Sequence, residues 1–415
     1  MARILVMCSR MPYPLTGGAK LRMFYTAREL AREHNIELLV IEKESVDESA
    51  ISSLEKIFDD VHVFTFPQYR FYMNASFGTL SQRPLQTHYY EFDTVNEWLD
   101  ENNQRFDLLY CNHVRTTEYA RTHDTPSVVD LVDAISRNYR ETSGDASGIW
   151  RFIYPIEWRR LRRYERRIVR EFTHAFIITE ADRQFIIDRN QSSSFSVLSN
   201  GVKPKLIEKY NPTYRPDPDS PRIVFLGKMN YFPNEDAAEY FVKQIFPHVR
   251  TSHPTAEFLI VGASPTSRVQ KLSEYDRVTV TGFVDDPKEY IKQADIVVAP
   301  MRHGAGLQNK VLEGMALGRP VVTTSLAREG INARDGNHLV VADDPNSFAA
   351  SINHLISDID KRRQIGESAR ELIEREHTWA YIGRQLRSRI RKILSVNKPD
   401  DESTNNRVSS NKGSN

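Results

Sequence analysis

Short apolar runs that do not alternate with polar residues recur along the first two hundred residues of the chain, and helical segments separate them. We predict strands from these runs at residues 3–9, 36–42, 61–66, 107–112, 127–132, 175–179 and 195–199. Such runs are typical of parallel strands that are buried on both faces, and the helices between them supply the crossover connections. The pattern therefore predicts a doubly wound α/β layer.

The same alternation of strands and helices starts again after a Pro- and Asp-rich stretch, "NPTYRPDPDSP" (211–221), which is interpreted as a stiff linker. Beyond the linker, strands are predicted at 222–227, 256–262, 278–282, 295–300, 320–324 and 338–342. We expect one α/β domain over 1–210 and a second over 222–376. A helix over 377–394 and a disordered polar tail over 395–415 are expected to follow.

The composition favours a soluble globular protein of more than one domain. The chain has 415 residues, of which 40% are hydrophobic and 27% charged, with a formal net charge of +1. This balance gives no overall field that would favour a nucleic-acid partner. No signal-peptide pattern and no apolar run long enough to span a bilayer is present. Cys8 and Cys111 are too few for a disulfide framework or a zinc site, so a cytoplasmic location and no metal are expected.

Open α/β sheets bind ligands at the carboxyl ends of their strands, so the strand-to-helix turns are where chemistry is expected. Gly17 and Gly18 follow the first strand and precede a helix, where glycines let the backbone approach an anion. A plain turn is the alternative for this pair. The stretch is not G-x-G-x-x-G, which disfavours a dinucleotide-dependent dehydrogenase. His113 also follows a buried strand, and it is either an active-site residue or a structural histidine.

The turn richest in chemistry is "RHGAGLQNKVLEGMALG" (302–318). Apolar residues recur at helical spacing in its second half, and Gly318 stands where the helix would end. Arg302, Lys310 and the helix N-terminus are placed to converge on a diphosphate. Glu313, one turn from Lys310, offers two oxygens to a vicinal diol such as a ribose; a Glu–Lys surface pair is the alternative. The other candidate donor-binding residues of the turn are Gly304, Gly306, Gln308 and Asn309.

Two further features are basic. Lys228 stands just past the end of a strand in the second half, where it meets either a phosphate or only solvent. Residues 151–172 carry eight arginines against three acidic residues, with an apolar stripe formed by Trp158, Leu161, Ile168 and Phe172. The pattern favours a solvated helix packed on the sheet. Peripheral contact with an anionic membrane surface is the alternative, since a basic amphipathic helix can lie on such a surface.

These patterns resemble the family 4 glycosyltransferases of the GT-B fold, most closely the bacterial exopolysaccharide-associated sugar transferases. The segments that carry the resemblance are "NGV" (200–202), "FLGKMNYFPNEDAAEYF" (225–241) and "GLQNKVLEGMALGRPVV" (306–322). The resemblance implies two Rossmann-like domains that face a central cleft. It also implies retaining transfer of a sugar from a nucleotide-sugar donor to a saccharide or lipid-linked acceptor in cell-surface polysaccharide synthesis, without a metal or another cofactor.

The resemblance also implies roles for single residues. Glu313 matches the second glutamate of the family's E-x7-E motif, which holds the donor ribose. Lys228 falls near the family's diphosphate-binding position, and Lys310 assists from the helix. Gly17 and Gly18 match the glycine loop that closes on the diphosphate, and His113 matches the histidine near the transferred sugar. The residues 377–386 resemble a C-terminal helix that crosses back to the first domain.

One departure from the family pattern keeps two other functions open. Where the family often has the first glutamate of its motif, this chain has Ala305. A protein that binds a nucleotide sugar but has lost transfer is therefore one alternative. A nucleotide-sugar epimerase, which shares the fold, is the other.

Overall fold

The computed structural model describes residues 1–15, 17–43, 45–144, 148, 150–187, 193–208, 220–304 and 306–396. The predicted linker up to residue 219 and the predicted tail from residue 397 lie outside the described residues, and so does Ala305.

The first half of the chain forms a parallel sheet. Within the described residues this sheet has seven strands in the order β3-β2-β1-β4-β5-β6-β7. Their bounds are Arg3–Cys8 (β1), Asn35–Glu42 (β2), Asp60–Thr65 (β3), Leu108–Asn112 (β4), Ser127–Asp130 (β5), His174–Ile177 (β6) and Phe195–Val197 (β7). A strand is present at each position that the apolar runs predict, and these predictions are confirmed.

The second half forms another parallel sheet. In the described part of the chain it has six strands in the order β10-β9-β8-β11-β12-β13. Their bounds are Arg222–Leu226 (β8), Glu257–Val261 (β9), Val278–Gly282 (β10), Ile296–Ala299 (β11), Val321–Thr323 (β12) and Val340–Val341 (β13). The predicted α/β class with two doubly wound layers is confirmed.

Helices connect the strands and cover the sheets. Those of the first half are Gly18–Leu30 (α1), Glu48–Glu55 (α2), Gln68–Phe77 (α3), Leu85–Tyr89 (α4), Asp93–Asn102 (α5), Thr117–Ala120 (α6), Ile135–Thr142 (α7), Trp150–Glu171 (α8), Glu180–Ile186 (α9) and Pro204–Glu208 (α10). Those of the second half are Phe232–Tyr240 (α11), Phe246–Ser252 (α12), Ser267–Gln270 (α13), Pro287–Lys292 (α14), Asn309–Ala316 (α15), Ser325–Arg328 (α16), Pro345–Ser357 (α17), Ile359–Glu376 (α18) and Trp379–Val396 (α19).

The first sheet is buried on both faces, which explains why its strands lack alternation. Along β1, Leu5 and Met7 point into one apolar cluster, while Ile4 and Val6 point into another on the opposite face. All four side chains are at most 1% exposed. Successive side chains of a strand alternate between faces, so a strand between two apolar layers is apolar at every position.

The helix α19 returns to the first half after the second sheet is complete. Its Trp379 ring stacks on Tyr25 of α1, with 5.0 Å between ring centroids. Arg387 of α19 forms an ion pair with Glu29 of α1. Just before α19, the carbonyl of His377 accepts a hydrogen bond of 2.8 Å from the Val202 amide. The chain segments at Val202 and at His377 therefore lie side by side.

No helix among the described residues is both long enough and apolar enough to cross a membrane.

Candidate active site

A cavity of about 280 Å³ lies between the two halves, at the carboxyl ends of the strands. Four residues that the sequence singles out line it: Gly18 and His113 from the first half, and Gly306 and Asn309 from the second. Because open α/β sheets place their ligands at this edge, the cavity is the candidate active site. We call its two sides the first wall and the second wall, after the half of the chain that supplies them.

Glycines allow the two walls to approach one another. A Cβ atom on Gly18 would lie 2.4 Å from Nδ2 of Asn309, a distance that van der Waals contact forbids. Gly306 has φ of 82°, and its Cβ would lie 3.7 Å from that of Asp133. Gly17, directly before α1, adopts φ 78° and ψ 158°, a conformation open almost only to glycine. The Gly17–Gly18 pair therefore lies at the junction of the walls.

His113 occupies the first wall in a strained conformation. It has φ 74° and ψ 157°, a region that is essentially restricted to glycine, and its amide donates to the Asp130 carbonyl at 2.7 Å. Its Nδ1 is buried and has no hydrogen-bond partner among the described residues. Burial, followed by the charges of Arg115 and Arg10, lowers the pKa of the imidazole well below its usual value. Burial thus favours the neutral ring, and a buried nitrogen without a partner is unusual; the role of His113 stays a prediction.

A second strained residue stands on the same wall. Val132 has φ 69°, and a β-branched residue with positive φ is a genuine outlier. Its amide donates to Oδ1 of Asp130 at 3.1 Å, and this bond holds the turn after β5. Backbone strain is retained where surrounding contacts determine the conformation, and it concentrates at functional sites.

A buried ion pair fixes the base of the first wall. The guanidinium of Arg22 on α1 binds Asp130 at the end of β5, with Nε and Nη2 at 2.7 and 2.9 Å from the carboxylate oxygens. Its Nη1 donates to Oδ1 of Asn200 at 2.9 Å, and the Tyr110 hydroxyl donates to Asp130 at 3.2 Å. Arg22 and Asp130 are fully buried. Removing one partner of such a pair leaves an uncompensated buried charge, which is strongly destabilising.

Lys310 lies in the first turn of α15, and it is only 8% exposed. Its Nζ donates to Oδ1 of Asn234 at 2.5 Å and lies 4.3 Å from the centre of the Phe225 ring. The Asn234 amide donates in turn to the Lys228 carbonyl at 3.0 Å. Burial lowers the pKa of Lys310 to about 7, which Glu313 partly opposes. Asn234 thus connects the two lysines that the sequence assigns to the diphosphate.

The Lys228 side chain is exposed. No ion pair or side-chain hydrogen bond joins its ammonium to any residue that the structure describes. Gln308 occupies the N-cap position of α15, and its side chain makes no capping hydrogen bond. Gly304, with φ 101°, packs beside Pro233, where a Cβ would lie 3.5 Å from the proline ring.

The expected convergence of Arg302 with Lys310 is not found. The Arg302 guanidinium binds both oxygens of Asp236, at 3.0 and 2.6 Å, and lies 4.4 Å from the centre of the Tyr240 ring. Lys310 binds Asn234 instead. Residues two apart on a helix do not face the same side, so α11 draws the two cations to different sides. Arg302 and Lys310 thus bind different partners in the described structure, and their convergence on a diphosphate stays a prediction.

Glu313 is half-buried, and no ion pair joins it to Lys310 within the described residues. The alternative of a Glu–Lys surface pair is therefore not found. Burial raises the pKa of Glu313, and the nearby charges of Lys288 and Lys203 oppose that effect. The positive charges that act most on the carboxyl group thus belong to Lys288 of α14 and to Lys203, whereas the Lys310 ammonium is bonded to Asn234 of α11.

The arginine-rich helix is α8, and its inner face packs on the sheet through Leu161 and Ile168, as the apolar stripe predicts. Its outer face carries one continuous row of exposed residues: Phe152, Ile156, Arg159, Arg163, Arg167 and Arg170. These residues recur at spacings of three and four, so they lie on one face of the helix. The exposed row is apolar at its start and basic over the rest of its length.

Sequence reasoning missed several residues of the first wall: Arg10, Asn112, Arg115, Val132 and Asp133. Each stands at, or a few residues after, the end of a strand. That position is the signal that would have found them, because the carboxyl ends of parallel strands meet at one edge of the sheet.

Comparisons with known proteins agree with this geometry. Residues 220–358 match the family model for glycosyl transferases group 1. A Klebsiella pneumoniae protein of the cps region is 23% identical over 401 residues, covering 91% of this chain and 97% of that protein. CapM of Staphylococcus aureus, a capsular polysaccharide biosynthesis glycosyltransferase, is 25% identical over 238 residues, covering 52% of this chain and 60% of that protein.

A solved structure shares the whole fold. The Anabaena protein HepE, in complex with UDP-glucose, superposes with a TM-score of 0.63 at 16% identity, covering 94% of this chain and 100% of that chain. The two parallel sheets with their strand ends at a shared cleft are the GT-B arrangement.

Proposed function

Since this chain is a glycosyltransferase with the GT-B fold, we propose that it transfers a sugar, with retention of configuration, from a nucleotide-sugar donor to a saccharide or lipid-linked acceptor. The observation that carries the proposal is the cavity, which joins Gly18 and His113 of the first wall to Gly306 and Asn309 of the second. The names of the relatives from the cps region and of CapM support a role in capsular or exopolysaccharide synthesis.

We assign the donor to the second half of the chain, beside the second wall. Glu313, which lies near two lysine charges, presents its carboxylate to the two ribose hydroxyls. Lys310 and Lys228 are placed for the diphosphate, together with the backbone amides that follow Gly17 at the start of α1. Because HepE binds UDP-glucose, a uridine nucleotide is the first donor class to test.

The chemistry that fits these residues needs no nucleophile from the protein. The bond from the anomeric carbon to the diphosphate breaks, and the acceptor oxygen bonds to that carbon on the same face. The acceptor proton passes to an oxygen of the leaving diphosphate. The protein contributes positive charge where negative charge develops, from Lys310 above all. A bound diphosphate raises the pKa of Lys310, because an opposite charge favours the ammonium form. No metal or other cofactor enters this scheme.

A thermal-shift panel of UDP, GDP, ADP, dTDP and CMP tests the donor assignment. A nucleotide present at a hundred times its Kd stabilises the folded protein by about 2.7 kcal/mol. We expect one nucleotide to raise the Tm of the wild type and to lose most of that effect with Glu313→Ala. Glu371→Ala, at an exposed position of α18, is the matched control. If no nucleotide shifts the wild type, the proposal loses its support.

The second part of the proposal concerns location. We propose that the chain acts in the cytoplasm and docks on the anionic inner face of the membrane through the exposed row of α8. Phe152 and Ile156, 71% and 55% exposed, are suited to the headgroup boundary, and the arginines that follow attract anionic lipid. Vesicles containing phosphatidylglycerol should pellet the wild type at low salt but not the double variant Arg159→Gln/Arg163→Gln. Equal pelleting with neutral vesicles, or none with either, would contradict the idea.

A further inference from the structure

The first wall of the cavity carries two arginines without acidic partners. Arg10 follows β1, and among the described residues its guanidinium makes no hydrogen bond and no ion pair. Arg115 follows β4, and its Nε donates to the neutral side chain of Gln86 at 3.0 Å. Both residues line the cavity. Their charges also oppose one another, since Arg10 adds to the effect of burial in lowering the pKa of Arg115.

Other polar groups of the same wall lack partners as well. Asn112, only 3% exposed, has a buried Nδ2 without a hydrogen-bond acceptor in the described part of the chain, and Nδ1 of His113 is in the same state. A buried donor that is left unmet costs about 1–3 kcal/mol. Asn112 and His113 line the cavity together with the two arginines. The wall therefore presents an excess of hydrogen-bond donors and of positive charge to whatever enters.

The wall has little negative charge to compensate for this. Asp133 is the single acidic residue among the described residues that line the cavity. It accepts a hydrogen bond of 2.7 Å from Asn138, and burial raises the pKa of its carboxyl group. Two guanidinium groups thus face one carboxyl group that is already bonded elsewhere. A neutral sugar hydroxyl cannot balance this charge, whereas an oxyanion can.

The position of Arg115 separates it from the groups assigned to the donor. Its guanidinium is held on α4 by Gln86 and lies 5.4 Å from the centre of the Tyr90 ring. The donor diphosphate, by contrast, is assigned to the lysines of the second half and to the backbone amides at the start of α1, and among the described residues none of these is bonded to Arg115. The arginines therefore point to a different ligand, one that enters on the side of the first wall.

We infer that the acceptor carries an oxyanion, a carboxylate or a phosphate, and that Arg10 and Arg115 bind it, with Asn112 as a further donor. This inference rests on the proposed function and names the chemical class of its acceptor. The two sources of such an anion are a uronic acid residue and a phosphorylated saccharide.

Thermal shifts at saturating UDP test the inference with three probes: glucuronic acid, glucose 6-phosphate and glucose. We expect at least one anionic probe to raise the Tm above its value with UDP alone, and glucose to leave it unchanged. Arg115→Gln and Arg10→Gln should each weaken the anion's binding roughly ten- to hundredfold while leaving the UDP shift intact. Arg363→Gln, which removes an exposed arginine of α18, is the control and should behave as the wild type.

The outcomes separate the two proposals. A response to glucuronic acid alone identifies a uronic acid, and a response to glucose 6-phosphate alone identifies a phosphate. If neither anion binds, or if glucose binds equally well, the inference is overturned. It is also overturned if Arg115→Gln abolishes the UDP shift, because the arginine then serves the donor. If UDP itself fails to shift the wild type, the donor assignment fails, and the anionic probes measured without UDP still decide the inference.

Discussion

The cations of the second half and those of the first wall differ in their partners. In the second half, the Lys310 ammonium is bonded to Asn234 and the Arg302 guanidinium to Asp236, and neither cation lines the cavity. On the first wall, the Arg10 guanidinium and Nδ2 of Asn112 have no hydrogen-bond partner among the described residues. Paired groups are held in place before a ligand arrives, whereas an unpaired group can obtain its partner from the ligand. The cations of the second half are therefore fixed in advance, and those of the first wall are open to a ligand.

The family comparison divides the chain along the same line. The matched segment, residues 220–358, contains the second wall and none of the first. The proposed reaction requires charge held at fixed positions around the leaving diphosphate, since preorganised charge stabilises the transition state most effectively. The acceptor is proposed to enter on the side of the first wall. We therefore expect substitutions of the cations in the second half to reduce kcat and those of the first wall to change substrate choice.

Lys310→Ala should have the largest effect, because it removes the buried cation nearest to the assigned diphosphate. Loss of one such donor costs about 2.7–4 kcal/mol in the transition state, which is a fall of 10²–10³ in kcat. Nucleotide release in the presence of acceptor is the measurement, and Lys271→Ala, at an exposed position, is the control. A fall of less than threefold would remove Lys310 from the reaction and weaken the contrast between the walls.

The pH dependence of kcat/KM tests whether the charge of Lys310 takes part in the reaction. Burial lowers the pKa of Lys310 to about 7 in the free protein, so the ammonium form is lost as pH rises through that value. Accordingly, kcat/KM, which reports the free enzyme, should fall about tenfold per unit above pH 7. In Lys310→Arg the guanidinium stays charged, so this fall should vanish even if the overall rate is lower. If kcat/KM of Lys310→Arg still falls above pH 7 as in the wild type, another group is responsible for the titration.

On the first wall, His113→Gly should raise stability while it lowers activity. The backbone at His113 adopts a conformation restricted to glycine, and such strain is of order 1–3 kcal/mol. Relief of part of it should stabilise the protein by about 1 kcal/mol in urea unfolding, whereas kcat/KM falls because the unpartnered ring is gone. His88→Gly, at an ordinary helical position of α4, should destabilise instead. If both variants lose stability, the glycine at position 113 does not relieve the backbone strain, and the prediction is wrong.

The smallest effect is expected where the walls are joined. Arg137 of α7 binds both carboxylate oxygens of Glu329, which follows α16, with Nη2 at 2.9 Å from Oε2. A half-buried pair of this kind contributes about 0.2–1 kcal/mol. A double-mutant cycle of Arg137→Gln and Glu329→Gln should give a coupling energy in that range, read from thermal unfolding. A coupling of zero would mean that the pair does not hold the halves together.

The fold was largely readable from the sequence, because strands buried on both faces leave continuous apolar runs. Side-chain partners that lie far apart in the chain were less readable. The bond between Arg22 and Asp130 joins residues 108 positions apart, and no local pattern announces such a partner. Only the packing of α1 against the end of β5 brings them together.

The candidate site was predicted in part for a similar reason. Gly18, His113, Gly306 and Asn309 meet at one cavity because strand-to-helix turns converge at one edge of a sheet. Arg302 and Lys310 bind different partners because Asp236 and Asn234 of α11, two positions apart, face different sides of the helix. The roles of Glu313 and Lys228 stay predictions. The domain bounds do as well, and Ala305 lies outside the described residues.

The crossing of the chain at Val202 and His377 has a mechanical consequence. The chain at Val202 is bonded to the chain at His377, so these two segments form one narrow connection. We expect any rotation of one half against the other to change a few backbone dihedral angles near Gly201, which packs so closely on Trp379 that a Cβ would lie 2.6 Å from its amide nitrogen. Such a rotation displaces groups in proportion to their distance from the connection, so the rim of the cleft farthest from Val202 would move most and groups near Asn200 would move least.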